Sequence, residues 1–457
     1  MTKIRKIFGT NQLINFNSKE DNFDIYWKSF LSSELGKIYQ SIPWDSLVKE
    51  LKLTQSRKGR TSIFPPEGKI ALQFLKSYTG LSDKHLMERL NADYQFQFFC
   101  GIDIPVDSPL SNFKIISEIR TELGKKLDIS VVQKCLANYW KPYIINPKII
   151  MEDATCYETW MRYPTDVKLL WEANEWIHGQ IKLINKMIKG RMPRSKFSEQ
   201  KDKYLSYSKT KKRTRKKTLR RIKSLIYLLE KLLGQLSEIE QKLPDNFSFP
   251  NRYYLRMSTI IKVLKQQKEL FEGEKVKGRI VSIDKSYIRP IVRGKETKRV
   301  EFGAKANILQ VDGINFIEHI SFDAFNEGTR LINSVWLTQT LFNTKVHMLG
   351  GDNIYGTNIN RKFCSTNGII TSFVRKGRAS KDELVLKQIR KIINTERATR
   401  MEGAFGTQKN HYSLDKIKAR TEKNELLWIF FGIHTANAKA ISKRKFNQEN
   451  QELKNTA

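Results

Sequence analysis

No two cysteines stand close enough in this chain to form a CxxC pair. The four, Cys100, Cys135, Cys156 and Cys364, are scattered over 457 residues. That spacing excludes zinc-ribbon chemistry and reads as a reduced, intracellular protein. Histidine is also scarce: there are six, with no pairing pattern that calls for a catalytic role. Long apolar runs are missing. The stretch Leu426 to Ala438 is too short to span a bilayer. Met1 to Phe8 is basic but lacks the apolar core of a signal peptide. The expectation is a soluble cytoplasmic protein. A 40% hydrophobic content is enough for sizeable cores and excludes a disordered composition.

Acidic residues are the other shortage. Lys plus Arg number 82 against 47 Asp plus Glu, a net charge of +35. Such an excess repels itself unless a polyanion offsets it, and nucleic acid is the usual one. An anionic membrane is disfavoured because no lipid anchor or amphipathic tail accompanies the charge. From Lys209 to Lys223 there are ten basic residues and no acidic ones. Among them are Lys211, Lys212, Arg213, Arg215, Lys216, Lys217, Arg220 and Arg221. They are candidates for sequence-independent phosphate contacts, or else a solvated basic loop.

Periodicity divides the chain. Residues 1–140 read as helical. Phe64-Pro65-Pro66 opens a helix that Gly80 stops, and Ser82 caps the next. This is compatible with a helix-turn-helix or an ordinary helical hairpin. A third helix is expected to open at Asp107-Ser108-Pro109. Lys148 to Asp153 reads as a buried strand ending on an acid. Residues 166–272 read as a basic helical insertion. Strands are expected at 280–283 and 287–292. Others are expected at 300–310 and 314–320, turning on Asp312-Gly313, and at 346–349 and 369–374. A helix is expected from Lys381. The predicted fold class is α/β: a mixed-sheet domain over 141–165 and 273–440, interrupted by the insertion. A helical DNA-binding domain precedes it and a basic tail, 441–457, follows.

Three acids stand out by context. Asp153 ends the first strand, Asp352 follows Gly350-Gly351, and Glu402 lies in a Gly-containing segment that reaches Lys409. Carboxylates at strand ends converge readily, because neighbouring strands are about 4.8 Å apart. Hard divalent cations prefer such oxygen donors. Two of them, about 3.5–4 Å apart, can serve phosphoryl transfer. Each acid alone also fits a cap or turn role; Asp284 and Asp312 have similarly acidic settings, Asp312 reading best as a turn residue and Asp284 standing as a rival candidate. The two glycines before Asp352 are expected to let a nucleic-acid backbone approach. Gly403 and Gly406 argue mildly against a helix there and in favour of close packing on the sheet.

Several blocks together resemble the DDE transposases of bacterial insertion sequences, within the insertion-sequence-five superfamily. They are Phe74 to Ile102 and Pro105-Val106-Asp107-Ser108-Pro109; Asp153-Ala154-Thr155 with Tyr163-Pro164-Thr165-Asp166; and Arg289 to Lys295 with Val300 to Lys305. The others are Gly351-Asp352-Asn353-Ile354-Tyr355-Gly356 with Asn360-Arg361, and Glu402-Gly403 through Phe405-Gly406 to Lys409 and Tyr412. The resemblance implies an RNase H-like catalytic domain with Asp153, Asp352 and Glu402 as ligands of two Mg²⁺ ions, which Mn²⁺ can replace. It also implies double-stranded DNA as partner and a homodimer on it. Lys409 is the family's helical lysine. The signature arginine's position holds Ala398, with Arg397 and Arg400 on either side. Tyr355 and Arg361 are further candidates for DNA contacts. A nuclease on the same fold, or a non-catalytic DNA-binding derivative, are the alternative readings.

Overall fold

The computed structural model describes residues 5–6, 20–54, 62–244, 246–292, 299–378 and 382–456. Arg293, Gly294 and Lys295 of one expected block, and Lys381 at an expected helix start, lie outside the described residues. The chain divides into two compact units. The first is Met1–Trp160 with Ala304–Ser321 and Phe325–Ala457; the second is Met161–Gly303 with Phe322–Ala324.

In the first unit β1 (Arg5–Lys6) pairs with β2 (Ile102–Asp103) amid eight helices. These are α1 (Glu20–Ser32), α2 (Glu34–Gln40), α3 (Trp44–Glu50), α4 (Pro66–Thr79), α5 (Asp83–Ala92), α6 (Tyr94–Cys100), α7 (Lys114–Lys126) and α8 (Ile129–Trp140). Helix α4 starts with proline in its first turn and ends at Gly80, whose φ of 66° suits a residue without Cβ. Ser82 accepts from the His85 amide and caps α5. The third helix does not open at Asp107-Ser108-Pro109. Its place is taken by α6, capped by Asp93 and stopped at Gly101, and the next helix begins only at Lys114.

The sheet is built on β3 (Ile149–Thr159). It runs well past the expected end, so Asp153 sits inside the strand rather than at its terminus. The second unit follows with α9 (Asp166–Met187), α10 (Phe197–Lys209), α11 (Arg215–Glu240) and α12 (Asn251–Glu272). Its core comprises Leu170, Ile177, Ile181 and Ile184 of α9 with Leu225, Leu229, Leu232 and Leu236 of α11. No strand forms at 280–283. Ile280 and Ile283 are instead buried in that helical core, and a turn carries Asp284, which pairs with Arg256. Strand β4 (Pro290–Val292) pairs antiparallel with the start of β5 (Val300–Val311).

Beyond residue 303 the chain, apart from Phe322–Ala324, is again in the first unit. Strand β5 turns at Asp312 (φ 49°) and Gly313 (φ 79°) into the antiparallel β6 (Ile314–Ser321). Two positive φ values in a two-residue loop are what the strand twist favours. Then come α13 (Leu331–Phe342), β7 (Met348–Gly350), α14 (Asn358–Thr366), β8 (Ile370–Thr371), α15 (Glu383–His411), β9 (Lys416–Ile417) and α16 (Glu422–Thr456). The strand order is β6-β5-β3-β7-β8, with β7 parallel to β3 and β8 parallel to β7. The outer edge of β6 is blunted by two amides. Gln133 of α8 bonds both ways with Ile317, at 2.7 and 3.1 Å, and Asn437 of α16 does the same with Asn315. Among the described residues no helix is long and apolar enough to cross a membrane.

Candidate active site

Strand pairing places two of the three acids side by side. The β3–β7 register ends at Met151 opposite Gly350, so Asp153 and Asp352 stand two residues further along neighbouring parallel chains. Asp153 is still within β3, whereas Asp352 lies just past the end of β7, where its charge acts on Asp153. Helix α15 lies over the face of β3 that bears Asp153. Ile393 packs near Met151 and Gly350, Arg397 reaches Asp153, Lys409 donates to Thr155 Oγ1 at 3.0 Å, and Gln408 accepts from Tyr157 at 2.6 Å. The alternation 153, 155, 157 is the strand period. Glycines 403 and 406 lie inside this helix facing open space, so neither serves close packing. Gly350 serves that purpose instead. A Cβ there would meet Met151 Sδ of β3 first, then Ile393 at 3.1 Å and Arg397 at 3.3 Å of α15, so side chains of β3 and α15, not a nucleic acid, occupy the room it leaves.

Asp153 Oδ2 accepts from Arg397 Nη1 at 3.0 Å, and its Oδ1 accepts from the Ala154 amide. Burial raises the Asp153 carboxyl above its ordinary value; the Ala154 amide and Arg397 oppose the rise, while the charges of Glu327 and Asp352 add to it. Asp352 caps the short 3-10 turn 353–355, accepting from the Ile354 amide at 2.9 Å. Glu402 is exposed on α15, in the heptad position before Lys409. Among the described residues no group of three or more His, Cys, Asp or Glu is placed to hold a metal ion. The structure therefore brings Asp153 and Asp352 together, ties Arg397 to them, and leaves Glu402 facing solvent.

The other candidates separate. Arg400 pairs with Glu396 at 2.6 Å, one turn back on the same exposed surface of α15. Tyr355 is fully buried and its hydroxyl donates to Asn307, a core position rather than the surface position a DNA contact needs. Arg361 donates to the carbonyls of Gly356 and Val374 at 2.8 and 2.6 Å, with its guanidinium over Phe373. It braces the loop after Asp352, as Asn360 does through Gly328 and Tyr355 carbonyls. In the second unit the basic run spans the end of α10, a short connection and the first turns of α11. Lys211, Lys212, Arg213, Arg215, Lys216, Lys217 and Arg220 are exposed, whereas Arg221 is half-buried against Gln200.

Behind the acids lies a polar layer that periodicity did not single out. Glu152 is fully buried on the opposite face of β3, and burial pushes its carboxyl up to about 8 against the hydrogen bonding of Ser334 and Asn307. Asn307 donates to Glu318, which pairs with Arg330. Glu327 pairs with Lys305 at 2.7 Å. The acid doublet Glu152-Asp153 was the only sequence signal of this layer.

Residues 25–122 match the family model described as Transposase domain (DUF772). No curated protein and no solved structure matches the chain.

Proposed function

We propose that the chain is the transposase of a bacterial insertion sequence, cleaving and joining DNA through Asp153, Asp352 and Glu402. The observation that carries the reading is Asp153 in β3 with Asp352 just past the end of the parallel β7, near enough for its charge to act on Asp153, beneath the helix that bears Glu402 and Lys409. The transposase-domain match over residues 25–122 supports it. So does the architecture: a long central strand with an antiparallel hairpin on one side, short parallel strands on the other, and an RNase H-like domain as the fitting class.

The donor set suits a hard divalent cation. Two carboxylates lie near each other, and the negative charge of one raises the proton affinity of the other, a repulsion that a bound cation relieves. Asp153, Asp352 and Glu402 would hold Mg²⁺, with Mn²⁺ as substitute, and the bound ions would supply activation of the attacking oxygen and stabilisation of the leaving one. Arg397 fixes the orientation of Asp153, and Lys409 holds a cation beside Thr155 where a phosphate is to be positioned. Water would attack the phosphodiester at the element's end and expel its 3′ oxygen as a hydroxyl, and that 3′ hydroxyl would attack a target phosphodiester, forming the new P–O bond as the target's own 3′ oxygen leaves as a hydroxyl. The cations of 209–223 grip the backbone. A homodimer pairs the two ends in the bacterial cytoplasm, at the nucleoid.

The test uses purified protein, DNA carrying the sequences that flank its gene, and Mg²⁺ or Mn²⁺, with cuts mapped to the nucleotide. Metal-dependent cuts at both ends, lost in Asp352→Asn, and joined products are expected. Cuts without joining would make it a nuclease. Tight salt-sensitive binding without cuts, in the presence of host extract, would leave a DNA-binding protein.

A further inference from the structure

On α15, Lys387, Lys391, Asn394, Ala398, Glu402 and Lys409 recur at spacings of four, three, four, four and seven. That period puts them along one side of the helix. Where this stripe begins, it borders a cavity of about 560 Å³ within the first unit. Arg375, Lys387, Arg390 and Lys391 line the cavity, with Asn394 and a single carboxylate, Glu383. That carboxylate is already engaged, accepting from Arg375 at 3.0 Å and also from Arg390. Its two guanidiniums are thereby held in fixed places with further N–H groups to offer. Lys387 and Lys391 are exposed, and among the described residues neither has a carboxylate partner. Four cations around one acid repel one another, and an anion entering the cavity offsets the repulsion.

We propose that this cleft is a phosphodiester subsite that holds the backbone of a DNA strand leading to the acids; it rests on the DNA-transposase reading above. Lys391 and Glu402 are eleven residues apart on one helix, about 16 Å at 1.5 Å per residue. A strand of duplex advances about 3.4 Å per nucleotide, so the cleft meets the backbone about five nucleotides from Glu402. The contact is made to phosphate, so it sets register and affinity without reading sequence.

The test is the salt dependence of binding to a labelled random-sequence duplex, wild type against the double variant Lys387→Gln, Lys391→Gln. Glutamine keeps the helix propensity of these exposed positions, and an unchanged melting temperature verifies the fold. Each lost phosphate contact removes about 0.9 from the slope of log affinity against log salt, so a slope shallower by about two is expected. An unchanged slope overturns the cleft. Inorganic phosphate at matched ionic strength forms the second arm. It is expected to weaken duplex binding by the wild type more than by the variant, and an equal effect on both would overturn the proposal. Wild-type cleavage at the element ends reads the parent function separately. Cleavage with an unaltered slope in the variant removes the cleft alone, while a wild type without affinity for duplex removes both.

Discussion

Arg397 and Arg400 sit three residues apart on one helix and face different work. Arg397 is half-buried against Asp153, and Arg400 is spent on Glu396 at the surface. Of the two arginines flanking Ala398, Arg397 alone forms an ion pair with Asp153. The pair opposes the effect of burial on Asp153 and fixes the rotamer of that carboxylate. Displacing a reacting group by about 1 Å costs on the order of 100-fold in rate. Arg397→Gln is therefore expected to lower metal-dependent cleavage by about that factor, and to move the acid limb of its pH profile upward, because Asp153 loses a charge that favours its ionised form. Arg400→Gln breaks only an exposed i, i+4 pair of about 0.3–0.5 kcal/mol and is expected to change cleavage about twofold. Equal losses in the two variants, measured on the same end DNA, would dismiss this division.

At the scale of elements, α11 begins against the grain of its own electrostatics. Its first turn carries Arg215, Lys216 and Lys217 and no acid, at the end where the helix dipole is positive. Thr214 caps the helix through the Lys217 amide, and the leucine face packed on α9 keeps it folded. Cations there cost stability, which makes them sensible only if an anion is to bind. Lys216→Gln with Lys217→Gln is expected to raise the thermal stability slightly, by about 0.3–1 kcal/mol per charge at low salt, while reducing the salt slope of DNA binding by about two. A stability gain with unaltered binding would reduce the run to a solvated face. Legibility in the sequence followed locality. The Asp312-Gly313 hairpin, the Gly80 stop and the Ser82 cap were readable because each depends on a residue or two. The full length of β3 was not readable, since Glu152 and Asp153 interrupt its apolar run, and the burial of Glu152, which raises its carboxyl, is set by the tertiary packing around it. Helix α6 was hidden by its aromatic run, which packs around Phe30 and Trp27 of α1. For the same reason the convergence of Asp153 and Asp352 was an expectation from context and resemblance until strand register gave it geometry, and Tyr355 lost its surface role to a hydroxyl partner, Asn307, far away in sequence.

The whole molecule carries +35 at neutral pH, and acid adds to that charge. Self-repulsion then works against the fold, and one buried group works in the same direction. His434 of α16 is fully buried beside Asn437, and desolvation depresses its imidazole to about 3 from an ordinary 6.5. Glu152 has the opposite shift, to about 8, so its share of stability is full below 4.5 and lost as pH rises through 8. For His434 the folded value lies below the unfolded one. Its contribution is full above 6.5, where both states are neutral, and falls as acid is added, because the unfolded chain takes a proton that the folded chain refuses until about 3. The slope approaches about 1.4 kcal/mol per pH unit. The wild type is therefore expected to lose stability faster than His434→Gln between pH 6.5 and 3, so that their difference in urea-unfolding free energy shrinks steadily across that window. Other carboxylates and histidines titrate alike in both proteins and cancel. A difference that stays constant with pH would mean that the His434 imidazole titrates alike in the folded and unfolded chains, against the amide N–H that Asn437 Nδ2 presents to its Nδ1.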